Sequence, residues 1–135
     1  MASYWPHEPG AECHFQAGRN AVDVANVAEE RHPDFTTRTL AYSMKETAAE
    51  PSPPNQEVIQ YSFTGWPSDS LVPRSAASLM HVISLVLQRQ SNLLESRAPI
   101  VVHCRNGSSE TAIFICISLL LLRLKAEQRI DVFQT

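Results

Sequence analysis

Residues 99 to 112 read PIVVHCRNGSSETA, and they hold the side chains of this chain best suited to chemistry. Pro99 opens a run, Ile100 to His103, with three β-branched apolar residues, which predicts a short buried strand. Arg105 to Ser109 is small and polar with one glycine, as a tight loop requires. From Glu110 or Thr111 the pattern turns apolar and stays so to Leu124, which predicts a helix. Strand, loop and helix in that order aim backbone N–H groups and a helix N-terminus at one point. Such a point attracts anions and lowers the pKa of a thiol placed there. Cys104 is that thiol. The alternative is a buried structural cysteine ahead of a core helix.

The elements that must position this loop follow from periodicity. Residues 1 to 20 read as irregular. Residues 20 to 31 are ambiguous: Val22, Val24 and Val27 suggest a strand, while the Ala and Glu content tolerates a helix. FTTRTLAYSM at 35 to 44 alternates and is rich in threonine, which predicts a strand. AAEPSPPNQ at 48 to 56 is a loop with three prolines. EVIQYSF at 57 to 63 alternates as a strand, and GWPSDSLVP follows as a loop closed by Pro73. Leu79, Val82, Ile83, Val86 and Leu87 then recur at helical spacing within Ser75 to Gln90, an amphipathic helix. The order of elements predicts a mixed α/β fold without internal repeats.

With 135 residues, 44% of them hydrophobic, the chain is one domain or part of one. A net charge of −3 argues against a nucleic-acid-binding or polybasic membrane surface. Arg97 and the stretch from Arg123 to Arg129 form no dense basic patch. Cysteines at 13, 104 and 116 give neither a disulfide framework nor a zinc pattern, which suits a reducing compartment. Cys13 lies near His7 and His14, but no fourth ligand has suitable spacing, so no metal or other cofactor is expected. Residues 1 to 12 are polar and rich in Pro and Gly, unlike a signal peptide. The longest apolar stretch, Ala112 to Leu122, is too short for a bilayer and predicts a helix surrounded by core. Cys116 on that helix is expected in the core, His81 at the surface, and Tyr61 and Phe63 on one face of a strand.

The spacing around Cys104 resembles the phosphate loop of the Cys-dependent phosphatases, in which five residues separate the Cys from a cation. YWP at 4 to 6, FTTRTL at 35 to 40, QYSFTGWP at 60 to 67, VVHC at 101 to 104 and KAEQRIDVFQT at 125 to 135 follow the order seen in protein-tyrosine phosphatase domains. The closest likeness is to the degenerate second, membrane-distal domain of receptor-type tyrosine phosphatases, particularly that of leukocyte common antigen. The likeness covers nearly the whole chain but only about the C-terminal half of the family's domain. It implies a mixed twisted sheet flanked by helices, truncated at both ends, with residues 1–135 as a partial domain. The segment with the phosphotyrosine-recognition loop and the final helices would lie outside this chain. The resemblance also implies a cytoplasmic location, in a free chain or as the cytoplasmic part of a membrane receptor.

In that family the Cys attacks phosphorus to form a cysteinyl-phosphate, and loop N–H groups hold the phosphate oxygens. An Arg six positions on clamps them, and an Asp in the Trp-Pro-Asp loop protonates the leaving group. Position by position, the resemblance makes Cys104 a vestigial nucleophile preceded by His103. Arg105, Asn106, Gly107, Ser108 and Ser109 complete the loop, Glu110 stands where the Arg belongs, and Thr111 opens the helix. Glu at 110 turns a bidentate clamp into a repulsive charge and disfavours the Cys104 thiolate. The alternative is a carboxylate complementing the helix dipole, which equally fills the anion site. In the acid loop, Trp66 and Pro67 are kept, while Ser68 occupies the general-acid position. Asp69 follows one place late and is the alternative acid in a longer loop.

Three functions are compatible with these residues. The favoured one is a catalytically impaired phosphatase-like module, regulatory or scaffolding, that binds a phosphotyrosine protein or an adjoining active phosphatase domain. The others are a weakly active tyrosine phosphatase using Cys104, Arg105 and Asp69, and a non-functional truncated fragment. Missing elements would leave core exposed on the helix after Cys104, which predicts a chain that is loosely packed, self-associating or dependent on a partner covering that face.

Overall fold

A computed structural model describes residues 4–45, 56–92 and 98–128, and the chain divides into two units, Met1–Gly65 and Trp66–Thr135. The first unit is a four-stranded antiparallel sheet in the order β1-β2-β3-β4, with β1 Glu12–Ala17, β2 Asn20–Arg31, β3 Phe35–Lys45 and β4 Gln56–Phe63. Ala17 faces Asn20 across a two-residue turn in which Gly18 takes φ +65°, a conformation that favours glycine at the tip of a tight hairpin. This hairpin replaces the irregular start expected from sequence. β1 has only six residues, with polar Glu12, His14 and Gln16 among them, so its alternation was too short to stand out.

β2 settles the ambiguity of residues 20 to 31 in favour of strand. Its ladder with β3 slips between Asn26 and Ala28, leaving Val27 as a bulged, exposed residue. The N-terminal segment uses the bulge as an anchor. The Gly10 N–H donates to the Asn26 carbonyl at 2.7 Å, the Asn26 N–H to the Ala11 carbonyl at 3.0 Å, and Asn26 Nδ2 to the Pro6 carbonyl at 3.2 Å. Asn26 is fully buried, and these bonds meet most of the demand that burying an amide creates.

β3 is an inner strand and carries this unit's core residues Phe35, Leu40 and Ala41; Leu40 and Ala41 are neighbours, so the burial falls on both faces of the strand and not on one alternating set. Three of the quoted sequence stretches meet on the sheet. Arg38 lies 5.5 Å from the Trp5 ring centroid, donates to Glu29 at 2.6 Å and to Gln60 at 3.1 Å, and Gln60 donates to the Tyr4 hydroxyl at 3.2 Å. Arg31 also donates to Glu29 at 2.6 Å, and these two cations hold the Glu29 carboxyl below the usual carboxylate range. The Glu29 side chain is only 4% exposed, so its charge is matched where water is scarce.

The second unit holds α1 Ala76–Asn92 and α2 Ser109–Glu127. Ser75 caps α1, its Oγ accepting from the Ser78 N–H at 3.1 Å. The predicted stripe is buried at Leu79, Val82 and Ile83, and His81 is exposed as expected. α2 ends at Gln128, whose left-handed φ of +55° lets its N–H reach the Leu124 carbonyl at 3.0 Å. Between α1 and α2 lies an apolar groove of about 160 Å3, lined by Val86 and Leu87, by Ile100, and by Phe114, Ile115 and Leu119 among others. No helix among the described residues is long and apolar enough to cross a membrane.

Two expectations fail here. Residues 100 to 103 form no strand, because β structure needs a ladder partner and none pairs with them among the described residues. The described strands are accordingly all antiparallel, within the predicted α/β class. The second concerns α2, expected in the interior. None of its residues is buried; Ile115, Leu119 and Leu122 are each more than 40% exposed, and Cys116, expected in the core, is exposed too. An apolar composition reports what a helix requires around it and does not supply the neighbours.

Candidate functional site

The predicted chemistry gathers at the start of α2. His103 is exposed and Cys104 half-buried, Arg105 to Ser108 form exposed bends, and Ser109 and Glu110 are half-buried in the first turn of the helix. Gly107 takes φ +71°, the conformation for which a glycine is suited at this turn. Asn106 Oδ1 accepts from the Ser108 N–H at 3.3 Å and from the Cys104 thiol at 3.6 Å. Ser108 stands at the N-cap without a side-chain cap bond, and its carbonyl accepts the Ala112 N–H at 2.9 Å. The anion-attracting end of α2 therefore lies beside the sulfur.

Two opposed influences set the charge of Cys104. The Thr111 hydroxyl first, and then the backbone N–H groups of Thr111 and Asn106, hold the thiol below its ordinary pKa. Partial burial and the Glu110 side chain push it upward, and the lowering influences win. Thr111 Oγ1 is buried and has no hydrogen-bond partner at normal distance among the described residues, which leaves its hydroxyl free to turn toward the sulfur. Sequence reading keeps Thr111 only as a helix opener. Its place immediately after Glu110, in the first turn above the thiol, is the signal that assigns it this second role.

Glu110 stands in the first turn of α2. Its own backbone N–H, then the Cys104 thiol and the Ser109 hydroxyl, and finally the Arg105 charge, hold its carboxyl below the usual range. The Ser109 hydroxyl donates to Glu110 Oε2 at 3.1 Å. The carboxylate therefore stands in the first turn of the helix, where negative charge is favourable.

The acid loop is a separate feature. Trp66 and Pro67 are half-buried, and Ser68 and Asp69 are exposed at a turn closed by the Ser70 N–H on the Pro67 carbonyl at 3.3 Å. Among the described residues, neither Ser68 nor Asp69 is hydrogen-bonded to the Cys104 group. The same holds for metal ligands: His14 is bonded to Asp23 at 2.5 Å, and no cluster among the described residues has the composition to hold a metal ion.

An α/β class, with a cysteine at the foot of a helix and a Trp-Pro pair in a loop, is compatible with the phosphatase resemblance, and comparison with known proteins shows the family. The family model for protein-tyrosine phosphatase matches residues 1–135, so the chain belongs to the protein-tyrosine phosphatase family. It is similar to a receptor-type tyrosine-protein phosphatase of Caenorhabditis elegans, 68% identical over 136 residues that cover 100% of this chain and 10% of that protein. It is also similar to human receptor-type tyrosine-protein phosphatase epsilon (30% identical, 97% of this chain and 17% of that protein). Tyrosine-protein phosphatase Lar of Drosophila melanogaster is 30% identical over 98% of this chain and 6% of its own. The chain spans about a tenth of the length of the C. elegans relative.

Proposed function

We propose that residues 1–135 are part of a phosphatase domain whose catalytic loop is impaired and whose role in phosphotyrosine signalling is regulatory or scaffolding. The observation that supports this reading is the Glu110 carboxylate in the first turn of α2, accepting from the Ser109 hydroxyl at 3.1 Å. A phosphate dianion entering there meets like charge instead of a bidentate guanidinium. Ser68, at the acid position, supplies no proton of suitable acidity to a leaving phenolate. The natural partners are then a phosphotyrosine protein or an adjoining active phosphatase domain, on the cytoplasmic side of a receptor. The exposed apolar face of α2 supports self-association of the isolated chain. Sedimentation over a range of concentrations tests that point, and a monomer throughout refutes it.

Turnover of an aryl phosphate, with Cys104→Ser as the blank, tests the central claim. The unmodified chain is expected to match the blank. Glu110→Arg is expected to tighten vanadate binding in calorimetry, and Ser68→Asp with Glu110→Arg to be required together for turnover, since clamp and acid act on different atoms of one transition state. Turnover by the unmodified chain that Cys104→Ser abolishes overturns the proposal. The lowered Cys104 thiol favours the second reading, a weakly active phosphatase with Asp69 as acid, and that same result would establish it.

A further inference from the structure

The chain has asparagines at 20, 26, 55, 92 and 106, and only Asn106 is followed by glycine. From this and the loop geometry we propose that Asn106 is a site of spontaneous conversion to aspartate and isoaspartate, and that the carboxylate so formed suppresses the Cys104 thiolate beside it. The inference goes beyond the reading of the loop as impaired and holds whether or not the loop turns over phosphate.

The reaction needs the Gly107 nitrogen to reach Asn106 Cγ. The Gly107 nitrogen loses its proton to water and bonds to Cγ, and the former side-chain nitrogen leaves as ammonia, closing a five-membered succinimide. Water then opens the ring: breaking the nitrogen–Cγ bond gives aspartate, and breaking the bond to the main-chain carbonyl gives isoaspartate. One water is consumed and one ammonia released, so no oxidant or cofactor is required.

Three observations favour attack at this residue. Asn106 is exposed, so water has access. Gly107 has no side chain to shield its nitrogen, and even a Cβ placed there would meet nothing within 4 Å. Asn106 Oδ1 accepts from the Ser108 N–H at 3.3 Å and the Cys104 thiol at 3.6 Å, and both donors stabilise the negative charge that grows on this oxygen as Cγ is attacked. Asn26 is the contrast: it is fully buried, precedes a β-branched residue and has its amide held by the Pro6 carbonyl.

The consequence is electrostatic. A neutral acceptor 3.6 Å from the sulfur becomes a second carboxylate beside Glu110, and like charge disfavours the thiolate. Isoaspartate also adds one main-chain atom between Cys104 and α2, which shifts the Ser108 N–H away from its present partner.

The test incubates the full chain at mildly alkaline pH and follows each asparagine by digestion and tandem mass spectrometry. Asn106 is expected to convert at least about tenfold faster than the asparagines at 20, 26, 55 and 92, a barrier difference of about 1.4 kcal/mol. A second measurement alkylates Asn106→Asp and the unmodified protein across pH and quantifies labelling cysteine by cysteine. The Cys104 profile is expected to move to higher pH while those of Cys13 and Cys116 stay in place. Conversion of Asn106 no faster than of the others overturns the modification site. A Cys104 profile identical in the two proteins overturns its effect on the thiol.

Discussion

Gly65 links β4 to the Trp-Pro loop, and replacing it by alanine tests how tightly that link is built. An added Cβ would lie 2.8 Å from Phe63 Cζ, 2.9 Å from Asp34 Cβ and 3.1 Å from Asp34 Cγ. Ordinary carbon contacts begin at about 3.5 Å, so the neighbours must retreat by roughly 0.6 Å. The tip of the Phe63 ring can swing. Asp34 cannot follow freely, because its carbonyl accepts both the Thr64 N–H at 2.7 Å and the Gly65 N–H at 3.0 Å. Overpacking of this kind costs about 1–3 kcal/mol. At a urea dependence of about 2 kcal/mol per M, a loss of about 2 kcal/mol lowers the unfolding midpoint by about 1 M. Urea denaturation followed by tryptophan fluorescence reads that shift. Phe63→Leu removes one of the clashing atoms, so Gly65→Ala should cost less in its background, with a coupling of about 0.5 kcal/mol or more. A Gly65→Ala protein with an unchanged midpoint would refute the close packing.

Thr111→Val should move the alkylation profile of Cys104 to higher pH, and Glu110→Gln should move it to lower pH, since the hydroxyl favours the thiolate and the carboxylate opposes it; profiles that shift together would break the assignment. Glu29 is held low by Arg31 and Arg38, so its stabilisation is present above the ordinary glutamate pKa and lost as pH falls through the lowered value. Glu29→Gln should therefore narrow the gap between urea midpoints measured at neutral and acid pH. Ile83 is fully buried in α1, and Ile83→Ala should cost about 2–5 kcal/mol in the same denaturation assay.

Local chemistry was the legible part of this sequence. The existence of β3 and β4, the stripe of α1 and the approximate ends of α2 all follow from side-chain period, which the chain carries within itself. The bulge was legible in part, because the step from Val24 to Val27 breaks a period of two where Val27 leaves the ladder. β1 escapes the sequence reading because its alternation, Glu12, His14 and Gln16 against Cys13, Phe15 and Ala17, runs for only six residues. The failures at residues 100 to 103 and in α2 have one cause. Their β-branched and apolar residues ask for a ladder partner and for surrounding core, and both are long-range conditions. At the site, Cys104, Asn106 and Glu110 come together because they lie within one turn of chain. The acid-loop residues depend on tertiary placement, and no hydrogen bond joins Ser68 or Asp69 to that group among the described residues.

The role of Glu110 can be separated from the loss of an arginine. A neutral residue at 110 would remove the clamp yet leave the helix end, the loop N–H groups and Arg105 open to a phosphate. The glutamate instead adds its own negative charge there, its carboxylate accepting from the Ser109 hydroxyl at 3.1 Å. The same charge opposes ionisation of the thiol, while Thr111 promotes it. Cys104 is thus kept in an environment that still lowers its pKa, next to a carboxylate that, under the proposed function, repels an incoming phosphate. On the proposed reading, a thiol still lowered by Thr111 beside a carboxylate in place of the clamp is the combination expected of a loop kept for contacts with partners rather than for turnover.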